Sequence, residues 1–169
     1  RVASANRALL RGQVGVVDVG TNNSNFVLTE DLHFIDQGST SISVGIGAAL
    51  QGVAKDLKRE YDLDWTQQLG RVDEAVRAGV VRVYGEPRDV SHVVKRHLRD
   101  VAEAIVRAAQ SLPGWGSGAE LSAVILTGGG SLLLGEYVRE AFPHSRLSGD
   151  DPQTDNVTGY LRAGIRYFG

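Results

Sequence analysis

An aspartate followed by a glycine-containing turn marks the first place in this sequence where chemistry could occur. Asp18 lies near the end of the apolar run 14–19, and Gly20, Thr21 and Asn22 follow it. A carboxylate on a buried strand is costly unless a cation or hydrogen-bond donors balance its charge. A hydrated Mg²⁺ ion would do so, because Mg²⁺ binds one or two carboxylates together with phosphate oxygens. The alternative is that Asp18 only caps the turn by accepting backbone hydrogen bonds.

Three consecutive glycines form the second place. Gly128, Gly129 and Gly130 follow the apolar run 121–127, and a helix is predicted to begin at Ser131. Backbone without side chains lets a flat or anionic ligand approach closely, and a helix N-terminus is electropositive. The spacing matches neither the Walker motif nor the GxGxxG fingerprint. The alternative is that the glycines only allow the strand and the helix to pack tightly.

The elements that must position these two segments are strands and helices in one α/β layer. Apolar spacings of three and four predict helices, and a short run that is apolar on both faces predicts a central strand. The predicted strands cover 14–19, 25–29, 32–36 and 121–127, and the predicted helices cover about 44–61, 94–112, 131 onward and 157–168. Residues 38–41 are expected to end the three-strand meander and to cap the first helix. Ligands of such sheets bind outside the strand ends, where both candidate segments lie.

Composition excludes several classes of protein. The 169 residues carry a formal charge of −2, so direct nucleic-acid binding is not expected. Cysteine is absent, which excludes disulfides, thiolate catalysis and cysteine-bound zinc. No apolar run is long enough to span a membrane, and we expect a cytoplasmic protein. Because methionine is also absent, we expect further sequence before Arg1.

Three segments together carry a resemblance to a known superfamily. Residues 16–21 and 125–131 resemble the second phosphate loop and the adenosine loop of the actin, Hsp70 and sugar-kinase ATPases. Residues 155–160, DNVTGY, resemble a motif of the bacterial plasmid-segregation actins of the ParM/StbA type. The resemblance covers about residues 13–169 and implies a ribonuclease-H-like α/β layer. It implies an actin-like nucleotide-binding domain II over 13–169, with 62–90 as a small inserted subdomain and 1–12 as the tail of an upstream domain or a linker.

The resemblance also implies roles for individual residues. Asp18 would be the catalytic residue that holds the waters of Mg²⁺ near the γ-phosphate of ATP or GTP. The nucleotide contacts would come from the remaining matched positions: Gly20, Thr21 and Asn22 at the phosphates, Gly128, Gly129, Gly130 and Ser131 at the base and sugar, Gly38 beside the ribose and Arg77 facing the base. The phosphate loop carries two asparagines where the superfamily usually has glycine and threonine. This departure predicts weaker phosphate binding or slower hydrolysis.

The implied function is that of half an ATPase. Mg-ATP would bind between two domains and drive self-association into filaments, which would segregate plasmid DNA through a DNA-binding adaptor protein. No contact with nucleic acid or membrane is implied for the chain itself, and ATP hydrolysis is expected only with the upstream domain present. A small-molecule kinase of the same superfamily and a scaffold that does not hydrolyse nucleotide are the alternatives. The missing cysteines weigh against the kinase branch that carries a cysteine-rich zinc motif.

Overall fold

The computed structural model describes residues 11–154, which form one mixed sheet, a separate hairpin and four helices. The strands are β1 (Gln13–Val19), β2 (Ser24–Glu30), β3 (His33–Ile42), β4 (Val80–Val83), β5 (Glu86–Asp89), β6 (Ala123–Thr127) and β7 (Ser145–Leu147). The helices are α1 (Ile46–Tyr61), α2 (Leu69–Ala78), α3 (Ser91–Ser111) and α4 (Ser131–Ala141). Within this part of the chain, no helix is both long and apolar enough to cross a membrane. The α/β layer predicted from the sequence is confirmed.

The five-stranded sheet has β1 at its centre. Its order is β3-β2-β1-β6-β7, in which β1, β2 and β3 form the predicted antiparallel meander and β6 and β7 run parallel to β1. Val14, Val17 and Val19 of β1 are buried and lie on both faces, as expected for a covered strand. Asp18 lies opposite Thr127 in the β1–β6 register. The two candidate segments therefore leave the sheet side by side at the same edge.

The end of the meander differs from the prediction. Residues 38–41 do not cap a helix but continue β3, and α1 begins only at Ile46. The β2–β3 register shifts between Phe26 and Leu28, so β3 bends and continues. Ser39 supports the bend, because its Oγ accepts a hydrogen bond from Leu28 N at 3.0 Å and donates one to Ile35 O at 2.8 Å. The Ser39 hydroxyl thus forms hydrogen bonds within the sheet and does not cap helix α1 as predicted.

Smaller differences concern segments that are too short or too exposed to show periodicity. Tyr84 and Gly85 form the turn of the β4–β5 hairpin, and the exposed strand β5 (Glu86–Asp89) was not predicted. The three-residue strand β7 was not predicted. Helix α2 and the hairpin β4–β5 lie inside the segment 62–90 that was expected to be an insertion. The motif at 155–160 and the helix predicted at 157–168 lie outside the described residues.

Helix α3 connects two parts of the fold. Its first half packs on α1, where a Cβ on Gly52 would lie only 2.4 Å from Nδ1 of His97. It also packs on α4, where Arg99 forms a two-pronged ion pair with Glu140 at 2.7 and 2.9 Å. A helix of 21 residues is about 31 Å long. Helix α3 therefore holds α1 at a fixed position beside the sheet edge where the candidate segments lie.

Asp56 of α1 anchors this contact electrostatically. Its side chain is buried and pairs with Arg96, with His97 at 2.7 Å and with Arg59 at 2.7 Å. Because a carboxylate only accepts hydrogen bonds, Nε2 of His97 donates to it. Burial raises the pKa of Asp56, but the hydrogen bond from His97 and the charges of Arg59 and Arg96 outweigh it. The net pKa of Asp56 therefore lies below its ordinary value.

We expect Asp56→Ala to lower the free energy of unfolding by about 2 kcal/mol at pH 7, because it removes the buried carboxylate that accepts a hydrogen bond from the partly buried His97 and pairs with the exposed Arg59 and Arg96. A carboxyl group with a lowered folded-state pKa stabilises the fold above its unfolded pKa of about 3.9, and the contribution disappears as the pH falls through the folded-state value. The difference between wild type and variant should therefore shrink below about pH 4. Urea unfolding at pH 7 and pH 3 measures it, with Asp100→Ala, an exposed α3 residue, as control. Equal stability of wild type and Asp56→Ala at pH 7 would contradict the assignment.

Candidate functional site

A cleft of about 420 Å³ lies at the sheet edge where β1 and β6 end. Its walls come from the turn after β1, the glycine turn after β6, helices α1, α2 and α4, and the segment after β7. Polar or bare-backbone groups on these walls include Gly20, Thr21, Gly70, Asp73, Arg77, Gly129, Gly130 and Gln153. The structure thus brings five of the predicted site residues to one cleft, namely Gly20, Thr21, Arg77, Gly129 and Gly130.

The turn after β1 is fixed by its own backbone and by helix α1. Gly20 N donates to Asn23 O at 2.9 Å, which closes the turn. The carbonyls of Gly20 and Thr21 accept hydrogen bonds from the backbone N–H groups of Ile46 (3.0 Å) and Gly47 (2.8 Å). Helices leave their first N–H groups unpaired, and here the turn satisfies two of them without a side-chain cap. The turn and the start of α1 therefore form one rigid unit.

Two glycines that sequence reasoning did not select make this contact possible. A Cβ on Gly45 would lie 2.5 Å from Gly20 O, and a Cβ on Gly47 would lie 2.7 Å from Thr21 O. Any side chain at either position would push α1 away from the turn. The signal was present in the sequence as a glycine pair, G-x-G, at the start of a helix: Gly45 is the N-cap, and Gly47 lies inside the first turn, where glycine is less favourable than alanine.

Asp18 lies between the turn after β1 and the glycine turn after β6. Its carboxylate is partly buried and accepts a hydrogen bond from Asn25 Nδ2 at 3.3 Å. A Cβ on Gly128 would stand 2.4 Å from Asp18 Oδ1, so the glycine turn lies directly against the carboxylate. Asp18 is adjacent to the lining of the cleft rather than part of it.

In residues 11–154, no group of three or more metal-binding side chains converges. A single carboxylate fits Mg²⁺ only where phosphate and water complete the coordination.

The glycine turn contains positions with different roles. Gly128 has φ +81°, and a Cβ there would also lie 2.5 Å from Val19 O. Gly130 N donates to Val19 O at 3.0 Å, and a Cβ on Gly130 would lie 2.6 Å from Val19 Cγ1. These two glycines allow the turn to fold back on the end of β1. At Gly128 and Gly130, the absence of a side chain is therefore needed for the tight packing of strand and helix, which was the alternative explanation.

Gly129 does not have this role. A Cβ on Gly129 would meet nothing closer than Gln153 at 3.6 Å, which is an ordinary contact distance. Gly70 of α2 also lines the cleft, and a Cβ there would meet nothing within 4 Å. The chain therefore leaves bare backbone on two parts of the cleft wall where packing does not require it. Such surface suits a flat ligand that lies close to the main chain.

Ser131 and the segment after β7 support the glycine turn from behind. The Ser131 side chain is buried, and its Oγ donates to Gly128 O at 2.6 Å. Its hydroxyl therefore holds the turn, and the structure does not place it on the cleft wall as the sequence reasoning implied. Pro152 O accepts hydrogen bonds from Gly128 N at 3.0 Å and from Thr127 Oγ1 at 3.1 Å. This support was missed, because it joins residues 25 positions apart.

Gly38 lies elsewhere in the structure. It is buried within β3, where its carbonyl accepts a hydrogen bond from Trp115 Nε1 at 2.7 Å. A Cβ on Gly38 would lie 2.5 Å from Leu28 Cδ2, so its lack of a side chain serves packing. Gly38 is therefore not among the residues that line the cleft. Asn22 is exposed on the turn after β1 but is absent from the cleft lining.

Arg77 faces the cleft from α2. Asp73, one turn earlier on the same helix, holds its Nε at 2.8 Å, and both residues line the cleft. Paired side chains at i and i+4 restrict one another on a helix surface. The guanidinium plane is thus held at the cleft wall, where it can stack on a flat ring or contact an anion. Asp73 was not selected from the sequence, although its spacing from Arg77 is that of a helical ion pair.

Residues 16–140 match the family of archaeal actin homologues described as MreB-like, C-terminal. The chain belongs to this family. The match spans the Asp18 strand, the glycine turn and most of α4, so it includes every element that forms the cleft except the support after β7. The resemblance to the second half of an actin-type protein is thereby confirmed. A search of curated protein sequences gave no significant match.

Solved structures of actin homologues share this fold. A ParM filament from Clostridium botulinum superposes with a TM-score of 0.83 at 19% identity, covering 99% of this chain and 50% of that one. The archaeal actin homologue Ta0583 in complex with ADP superposes with a TM-score of 0.78 at 22% identity, covering 98% of this chain and 56% of that one. A ParM from Bacillus thuringiensis with ATP superposes with a TM-score of 0.64 at 16% identity, covering 91% of this chain and 46% of that one. The chain spans about half the length of these actin homologues.

Proposed function

We propose that this chain is the second domain of an actin-like ATPase that binds Mg-ATP or Mg-GTP in its cleft and assembles into filaments. The observation that carries the proposal is the convergence of the turn after β1, the bare backbone of Gly129 and the guanidinium of Arg77 on one cleft. These groups offer a backbone surface, a flat opening and a cation. Each of the three can contact a different part of a nucleotide.

Each group has a separate task in this proposal. The turn at Gly20 and Thr21 approaches the phosphates, where small residues leave the main chain accessible. Gly129 and Gly70 provide space for the base and sugar, and Arg77 stacks on or contacts the base. Asp18 orients the waters of the metal ion. A bound Mg²⁺ ion would neutralise phosphate charge during hydrolysis. A preceding domain, corresponding to the half of the relatives that this chain does not cover, would close over the nucleotide.

The assembly part of the proposal rests on the fold and on the relatives. One structural neighbour is a ParM filament, and another was solved with ADP. Head-to-tail contacts between identical subunits generate open filaments when the contact does not close on itself. Through an adaptor protein, such filaments would segregate plasmid DNA, as the ParM/StbA resemblance implies.

The experiment uses the protein that contains this chain together with its preceding domain. Right-angle light scattering is recorded after Mg-ATP is added, and phosphate release is followed in the same sample. We expect scattering to rise and then to decay as phosphate appears. Thermal unfolding with 5 mM Mg-ATP should show stabilisation, because a ligand that binds only the folded state must stabilise it.

Other outcomes would separate the alternatives. A flat scattering trace with phosphate release would contradict the filament and favour a monomeric ATPase. Phosphorylated product from a panel of sugars and carboxylates would favour the small-molecule kinase. A flat trace without hydrolysis or thermal stabilisation would contradict nucleotide binding and leave the scaffold.

A further inference from the structure

The ion pair between Asp73 and Arg77 uses only part of its hydrogen-bonding capacity. Asp73 Oδ2 accepts a hydrogen bond from Arg77 Nε at 2.8 Å, and both side chains line the cleft. Within residues 11–154, neither side chain has a second hydrogen-bond partner, and the two are 33% and 49% exposed. A carboxylate accepts on both oxygens, and a guanidinium donates from all three nitrogens. Asp73 Oδ1 and the two terminal nitrogens of Arg77 are therefore free to bind a ligand in the cleft.

The charges of this pair suit a neutral ring better than a phosphate. Among the described residues that line the cleft, the charged ones are Asp73 and Arg77, and their charges cancel. A phosphate placed at Arg77 would also lie beside the carboxylate of Asp73, which repels it. A neutral group with donors and acceptors on neighbouring atoms meets no such repulsion. The pair therefore suits the edge of a base, while the phosphates lie at the turn after β1, as proposed above.

The rest of the cleft wall suits the faces of a flat ring. Four apolar side chains line the cleft together with the ion pair, namely Ile46, Leu50, Leu69 and Leu133. Small-molecule sites combine such an apolar lining with a few polar groups that fix the orientation of the ligand. The apolar side chains and the bare backbone of Gly70 and Gly129 can contact the faces of a base. The ion pair can then contact its edge.

The two purines differ in how well their edges match a carboxylate beside a guanidinium. Along its edge, guanine presents two neighbouring donors, the 2-amino group and N1–H, followed by two neighbouring acceptors, O6 and N7. A carboxylate can accept from both donors, and arginine commonly donates to both O6 and N7. Adenine presents an acceptor at N1, a donor at the 6-amino group and an acceptor at N7. Because its donor stands alone, adenine leaves more of the capacity of Asp73 and Arg77 unused.

We propose that Asp73 selects guanine, so that the cleft binds guanosine nucleotides about tenfold more tightly than adenosine nucleotides. Asp73 accepts hydrogen bonds from N1–H and the 2-amino group of the base, and Arg77 donates to O6 and N7. A site with such polar groups discriminates because the wrong base leaves them unpaired. This inference rests on the proposed function, since it names the base of the nucleotide that the cleft is proposed to bind.

The test is isothermal titration of the protein with its preceding domain, using the magnesium complexes of non-hydrolysable β,γ-imido triphosphates. In wild type, the guanosine analogue should bind about tenfold more tightly than the adenosine analogue, and the inosine analogue, which lacks the 2-amino group, should lie between them. Asp73→Asn should weaken binding of the guanosine analogue about tenfold and leave the adenosine analogue within about threefold of wild type. Glu74→Gln neutralises the next residue of α2, which is exposed and outside the cleft lining, and should keep the wild-type ratio.

The xanthosine analogue tests the same contact by a gain of binding, which a misfolded variant cannot produce. Xanthine has a carbonyl where guanine has its 2-amino group, so it places an acceptor against the carboxylate of Asp73. The side-chain amide of Asp73→Asn can donate to that carbonyl, and this variant should bind the xanthosine analogue about tenfold more tightly than wild type does.

The outcomes separate this inference from the proposed function. Wild type that binds the adenosine analogue as tightly as the guanosine analogue, or more tightly, would overturn the role of Asp73 and leave the nucleotide cleft intact. An Asp73→Asn variant that gains no affinity for the xanthosine analogue would do the same. Wild type that binds neither the guanosine nor the adenosine analogue would instead contradict the proposed function, and the selection of guanine with it.

Discussion

Asp18→Asn is expected to lower the rate of nucleotide hydrolysis at least 100-fold in the protein that contains both domains. The substitution keeps the shape of the side chain and removes its charge. In the proposed site, that charge holds the metal ion beside the phosphates, and loss of one electrostatic group in a catalytic site typically costs a factor of 100 to 1,000. Steady-state phosphate release with saturating Mg-ATP measures the effect.

Two controls separate chemistry from folding in this experiment. Asp100→Asn neutralises an exposed carboxylate on α3 and should leave the rate unchanged within a factor of two. The melting temperature of Asp18→Asn should stay close to that of wild type, because asparagine can still pair with the side chain of Asn25, which lies 3.3 Å from the carboxylate. Unchanged hydrolysis in Asp18→Asn would remove Asp18 from the mechanism and support its alternative role as a cap of the turn.

The parts of the fold that were predictable from the sequence are those with local patterns. The apolar run that contains Asp18 predicted the central strand, since only a covered strand is apolar on both faces. Apolar spacings of three and four predicted α1 and α3, whose buried residues follow that period. The glycine turn was recognisable because three glycines interrupt the passage from β6 to α4. Each of these patterns is contained in fewer than 25 residues.

The features that could not be predicted depend on contacts between distant residues. Ser39 was taken for the end of the meander, because a Gly-Ser-Thr-Ser segment looks like a cap unless the partner strand is known. Gly38 was placed in the site although the indole of Trp115, 77 residues later, fixes it in the sheet. The carbonyl of Pro152, which holds the glycine turn, lies 25 positions after Thr127, one of the two residues that donate to it. Local chemistry alone cannot distinguish a glycine that approaches a ligand from one that approaches a side chain.

That distinction can be tested within the glycine turn. Gly128→Ala is expected to lower the free energy of unfolding by about 3 kcal/mol, because its φ of +81° disfavours any side chain and a Cβ would overlap Asp18 Oδ1 and Val19 O. Nucleotide binding should be lost with it, since the displaced atoms include the carboxylate of the proposed metal site. Urea unfolding without nucleotide and isothermal titration with Mg-ATP measure the two effects.

Gly129→Ala is the matched control, because it adds the same methyl group one residue later. We expect this variant to keep its stability, whereas Gly128→Ala should lose it. A Cβ there would meet nothing closer than 3.6 Å, so stability should change by less than about 1 kcal/mol. The methyl group would occupy the cleft wall, and we expect Mg-ATP affinity to fall about tenfold. If Gly129→Ala binds nucleotide like wild type, the glycine turn serves only packing. If Gly128→Ala folds normally, the close approach of this turn to Asp18 is not required, and the proposed position of the carboxylate beside the nucleotide loses its structural basis.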